Sequence, residues 1–143
     1  MSSTSDRPPI ILPIGVYVIA FRYLSRGYAA AGVGLGAVLL AGGPARFSGR
    51  SYSAAAEVPG AQWTWGAVVA VAGSLMLAGS VLRLPRLLSG ATAALIGWHT
   101  FFAVSLTLSA LEEPHAGLTG VVVYAALACV GGLLAGALRE AAR

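Results

Sequence analysis

The sequence predicts an all-α integral membrane protein, a four-helix bundle with a short N-terminal interfacial helix. Three observations carry that expectation. Of the 143 residues, 57% are hydrophobic and only 10% charged, where a soluble globular domain carries roughly 25% charged residues. The charged residues are confined to the ends and to short segments between apolar runs, the distribution expected when the solvent is lipid. Four of those runs reach the roughly 20 residues a helix needs to cross a hydrocarbon core of about 30 Å.

Taken as a single membrane domain over 1–143, the chain divides as follows. A polar tail, 1–9, precedes Ile10 to Phe21 (IILPIGVYVIAF), which is too short to span and runs directly into Arg22, Tyr23 and Arg26. A signal peptide places its basic residues before the apolar core and small residues after it. Here RYLSRG follows the core, so residues 10–23 are expected as an uncleaved interfacial helix, with Arg22 and Arg26 on one face and Ile14, Val18 and Phe21 entering the membrane. One long tilted helix from Pro13 to Gly43 is the alternative.

The spans follow at 24–43, 61–82, 87–111 and 117–138, with a C-terminal tail at 139–143. Pro44, Pro59, Pro85 and Pro114 fall at the breaks, where a proline ends a helix without having to be accommodated inside one. The connections RLPR and EEPHA are short enough to force antiparallel neighbours, whereas the outer loop 44–60, rich in Ser, Ala and Gly, is the one connection able to hold structure of its own.

Orientation follows from the arginines, which make up all nine basic residues. With the N-terminus in the cytoplasm, Arg7, Arg22, Arg26, Arg83, Arg86, Arg139 and Arg143 lie inside, leaving Arg46 and Arg50 outside with Glu57, Glu112 and Glu113. This distribution predicts a multi-pass protein of the inner (cytoplasmic) membrane with both termini cytoplasmic. Trp63 and Trp65 then open the second span as outer-interface anchors. The arginines are scattered in ones and twos, not gathered in a stripe, which argues against nucleic-acid binding.

Glycines four apart make a groove that lets a second helix approach closely, and van der Waals packing drives association where no hydrophobic effect operates. Gly32 and Gly36 in the first span and Gly132 and Gly136 in the fourth have this spacing. A similar seam on the third span, Ala93, Gly97, Thr100, Val104 and Thr107, follows helical spacing along one side. Packing inside the bundle is the expected use of all three, with self-association the alternative. Cys129, the single cysteine, is expected as a small buried apolar residue.

The candidate for chemistry is His99, in IGWHTFFAV, an intramembrane polar residue sharing a helix face with Thr92, Ile96, Phe102 and Leu106. Intramembrane ionisable groups serve as proton relays or ligands, but relays need partners. Only Cys129 and Tyr124 share its depth, with no second histidine or carboxylate, so His99 is expected as a neutral hydrogen-bonding group pointing into the bundle. Glu112, Glu113 and His115 crowd the loop LEEPHAG, too few ligands for a cation shell. No nucleophile stands with its base and no phosphate loop follows a strand. Neither enzymatic activity nor a cofactor or metal is expected. The partners expected are the lipid bilayer and either a second copy or a larger membrane complex.

The stretch LEEPHAGLTGVVVYAALA, Leu111 to Ala128, preceded by a Trp-containing helix, resembles a pattern in small four-helix membrane proteins of actinobacteria and their bacteriophages. In these a Pro, a basic or His residue and an Ala precede LTG and a Tyr-containing final helix. Some of that group are described as holin-like, so the resemblance implies a small polytopic protein that is either an accessory subunit or membrane-permeabilising. The short, nearly neutral tail REAAR and the lack of a polar helix face weigh against a pore. A small channel or transporter is the third expectation, and the absence of a buried acid weighs against it.

Overall fold

The structure, a computed structural model, describes residues 14–42, 53–112 and 118–141. Among them are five helices, α1 (Ile14–Ala41), the single-turn α2 (Ser53–Ala56), α3 (Ala61–Val81), α4 (Pro85–Glu112) and α5 (Thr119–Ala141), and no strand. All but α2 are long and apolar enough to cross a membrane.

α1 runs for 28 residues without a break, so no boundary divides an interfacial helix at 10–23 from a span beginning at Leu24. The described part of that segment, from Ile14, is the start of α1 itself, and the single-helix alternative describes it. The physical reason is that nothing in AFRYLSRG interrupts backbone hydrogen bonding. Ser25 returns its hydroxyl to the Arg22 carbonyl at 3.0 Å, a bond a helix accommodates. At 1.5 Å per residue such a helix is about 42 Å long, longer than a hydrocarbon core of about 30 Å. α4 likewise begins earlier than expected, because Pro85 occupies its first position, where a missing N–H costs nothing.

The helices are arranged in the order α1, α3, α4, α5, each packed on the next, while α1 and α5 barely touch. The tightest approach is between α1 and α3. A Cβ on Gly36 would lie 2.7 Å from both the Ala70 nitrogen and the Gly66 carbonyl oxygen, and one on Gly73 would lie 2.7 Å from the Val33 nitrogen. Gly32 faces the Gly73 Cα at 3.4 Å from its own absent Cβ. The two backbones are therefore in direct contact, the close approach that small residues permit. Gly32 and Gly36 pack inside the bundle as their spacing implies, and their counterparts are Gly66 and Gly73.

The other two glycine sites differ from expectation. Gly97, Gly132 and Gly136 have nothing within 4 Å of a Cβ position. Ala93, Gly97, Thr100, Val104 and Thr107 are all exposed, so this side of α4 looks outward. Spacing creates a groove on a helix but does not rotate that groove toward a neighbour. The bundle instead turns the bulkier side of α4 inward, burying Leu95, Trp98, His99, Phe102 and Leu106, which removes more surface from solvent of any kind. The α5 glycines that pack are Gly120, against Leu106, and Gly131, one position before an expected one.

The α3–α4 connection is a tight turn. The Leu84 N–H donates to the Gly79 carbonyl at 2.9 Å, with Arg83 left-handed at φ 56°. This is the six-to-one bond of a Schellman cap, whose left-handed position is normally glycine. Placing a residue with a Cβ there costs about 1–2 kcal/mol. Gly79 makes room for the Leu88 backbone, 2.7 Å from where its Cβ would be.

The antiparallel register gathers the five described arginines, Arg22, Arg26, Arg83, Arg86 and Arg139, toward one end of the bundle, with Glu57 and Glu112 at the other. Arg7, Arg46, Arg50, Arg143, Glu113 and His115 lie outside the described residues.

Gly36→Leu or Gly73→Leu is expected to lower the thermal midpoint in detergent, measured by circular dichroism, through overpacking worth about 1–3 kcal/mol. Gly97→Ala and Gly132→Ala are expected to leave it unchanged or raise it, since alanine is the better helix former by about 1 kcal/mol.

Candidate functional site

The centre of the bundle is a cluster of aromatic and polar side chains contributed by four helices. His99, 2% exposed, lies on α4 with its Nδ1 2.9 Å from the Tyr28 hydroxyl of α1. The direction of this bond follows the imidazole tautomer: the phenol donates when the ring proton is on Nε2 and accepts when it is on Nδ1. The inward direction of His99 follows from its helix face: Thr92, Phe102 and Leu106 are buried with it.

Tyr28 is the partner the sequence did not disclose. Beginning the first span at Leu24 puts Tyr28 in its opening turn, at an interface. The helix actually starts at Ile14, so Tyr28 stands midway along it and is buried at 4% exposure. The available signal was an aromatic hydroxyl set among small residues in SRGYAAAG, a side chain long enough to cross the bundle. Gly131 of α5 makes its path possible, since a Cβ there would meet the Tyr28 hydroxyl and Ile96 Cγ1, each at 2.6 Å. Tyr28 thus ties α1 to α4 and α5 on the side where the backbones barely meet.

Around the pair the rings interlock. Trp98 stands edge-on to His99 at 5.3 Å and stacks on Phe102 at 4.3 Å. Tyr124 of α5 meets Trp98 at 5.6 Å and Phe102 at 5.4 Å. The chain of rings continues into α3, where Trp65 stacks on Phe101 at 4.6 Å. Such pairs contribute about 0.5–1.5 kcal/mol each beyond area burial. The Trp98 Nε1 is buried without a hydrogen-bond partner, a cost of about 1–3 kcal/mol that the stacking of its ring offsets.

The two expected interface anchors separate. Trp63 is exposed, as an anchor requires. Trp65 is half-buried and donates its Nε1 to the Ala55 carbonyl at 3.0 Å. It fastens α2 against α3 and α4, and Ala55 is fully buried beneath it. An indole stacked on Phe101 gains more from the bundle than from an interface.

The seam residues bond locally. Thr107 returns its hydroxyl to the Ala103 carbonyl at 2.7 Å, and Thr100 is exposed. Cys129 is exposed, not buried. With Thr100, Thr107, Val121, Ala125 and Ala128 it lines a shallow apolar groove of about 400 Å³ between α4 and α5. No group of three or more His, Cys, Asp or Glu converges among the described residues.

No family model, curated protein or solved structure matches this chain. Function is therefore read from geometry. The central cluster can hold helices together through one interhelical hydrogen bond and a ring stack, and among the described charged side chains none contacts His99 to exchange a proton with it.

A double-mutant cycle of Tyr28→Phe and His99→Leu is expected to give a coupling of about 0.6 kcal/mol, and at most about 1.7 kcal/mol, by reversible unfolding in mixed micelles. Gly131→Ala is expected to destabilise the wild type by more than it destabilises the Tyr28→Phe variant, whose hydroxyl no longer meets the added methyl. Equal penalties in both backgrounds would show that Gly131 does not accommodate Tyr28.

Proposed function

We propose that the chain is a non-enzymatic, multi-pass protein of the inner membrane that serves as a structural or accessory subunit of a larger membrane complex. The observation that carries this reading is the unfilled small-residue face of α4 and α5. Gly97, Gly132 and Gly136 have open space where packing partners are expected. On α5, Val121, Ala125, Ala128 and Gly132 follow one helical stripe, and with Thr100 and Thr107 of α4 they border or extend the same groove. In hydrocarbon a helix gains little from exposing glycine, whereas a partner helix seated there gains close backbone contact. Gly32 and Gly36 serve the bundle's own packing, so the second set is available for a partner.

In this reading the arginine-bearing end faces the cytoplasm, as the positive-inside rule favours. The first turns of α1 extend past the hydrocarbon into the headgroups, with Arg22 and Arg26 at that boundary. His99 acts through Tyr28 as an internal fastening. The likeness of Leu111 to Ala128 to small actinobacterial and phage membrane proteins agrees with this role and keeps a holin-like action as the competing outcome.

Expressed with an affinity tag in its own host, the protein is expected to co-purify with a fixed membrane partner, and Gly132→Leu with Gly136→Leu to abolish that capture without lowering the thermal midpoint. Rapid collapse of membrane potential and death on expression would instead identify a permeabilising protein. Dimers cross-linked through Cys129 would identify self-association.

A further inference from the structure

At the arginine-bearing end, a cleft of about 690 Å³ opens between the N-terminal half of α1, the α3–α4 turn and α5. This lies within the range of about 300–1,000 Å³ that small-molecule sites occupy. Its walls are apolar, including Val18, Phe21, Leu24 and Leu88, and its two charged lining residues are Arg22 and Arg83. No carboxylate lines it, among the described residues. α1 and α5 make few contacts of their own, which leaves room for it.

We propose that this cleft seats an anionic glycerophospholipid, its phosphate held by Arg22 and Arg83 and an acyl chain lying along Leu24 and Leu88. The proposal rests on the reading that the four long helices cross a bilayer. Three features favour this occupant. A guanidinium presents a planar fork that matches phosphate oxygens and stays charged at any physiological pH. One arginine comes from α1 and the other from the α3–α4 turn, and both line a cleft that is otherwise mostly apolar, the pairing of charge with apolar surface that a lipid matches. Basic pockets between transmembrane helices on the cytoplasmic side recognise such headgroups.

The backbone of Arg83 adds a fourth. It holds the left-handed position of the helix cap at φ 56°, where glycine would be free of strain. The turn itself would be better served by glycine, and what arginine adds at that position is a charged side chain at the cleft. Strain kept at a residue that faces a cavity points to a role for its side chain.

The test uses the full chain purified in neutral detergent, with lipid retention read by native mass spectrometry and stability by thermal unfolding, with added phosphatidylglycerol or phosphatidylcholine. The wild type is expected to retain phosphatidylglycerol preferentially, and Arg22→Gln or Arg83→Gly to reduce that preference by about fivefold each. Arg83→Gly is expected to be at least as stable as wild type in phosphatidylcholine, so its loss of preference cannot be assigned to misfolding. Arg26→Gln, outside the cleft, is expected to keep the preference.

Undiminished preference in the Arg22→Gln, Arg83→Gly double variant would overturn the proposal. So would an equal loss with Arg26→Gln, which would indicate general attraction to a basic surface. A thermal shift reproduced in full by millimolar inorganic phosphate would reduce the site to an anion site and overturn the lipid assignment. Release of the protein from membranes by alkaline carbonate would instead refute the bilayer-spanning reading, an outcome separate from the lipid measurements.

Discussion

The contact between the α1 and α3 backbones organises this bundle. Gly32 and Gly36 on one helix, with Gly66 and Gly73 on the other, remove every side chain that would hold the axes apart. For helices surrounded by hydrocarbon no hydrophobic effect pulls them together, so the gain must come from dispersion between atoms in direct contact. A single methyl at Gly36 or Gly73 would meet backbone, which cannot swing aside as a side chain can. The register set by that contact aims Tyr28 across the bundle toward His99 and brings Trp65 of α3 level with Phe101 and Phe102 of α4.

α4 then divides the molecule into two chemically different halves. Its inward side carries the large and polar groups, Trp98, His99 and Phe102, which fill the space between four helices and pair the imidazole with one phenol. Its outward side carries glycine, threonine and valine, which fill nothing within the chain. The two sides share one helix because the long side chains must point where neighbours exist within the chain, which leaves the shallow side facing outward.

The arginine-bearing end carries the other departure from a self-sufficient bundle. α1 and α5 are joined near their middle by Tyr28 and Gly131 and otherwise make few contacts, and the cleft at the arginine-bearing end is lined by Arg22 and Arg83. The strained Arg83 cap and the unpartnered Trp98 N–H are both local costs in a fold otherwise built for contact. The Trp98 cost is offset by ring stacking.

Helix number, approximate length and antiparallel order were legible in the sequence, because hydropathy and proline breaks act locally. The inward direction of His99 was legible too, since Thr92, Phe102 and Leu106 share its face and together form the bulkier side of α4. What only the tertiary structure decided was which groove meets which helix. Gly131 packs and Gly132 does not, a difference of one residue and about 100° of rotation, and a repeat of four reports the groove without its azimuth. Tyr28 was hidden for the related reason that a partner across the bundle leaves no mark near His99 in the chain. Periodicity determines what a helix presents, while rotation about its axis, settled by the competition of all its faces for contact, determines what it touches.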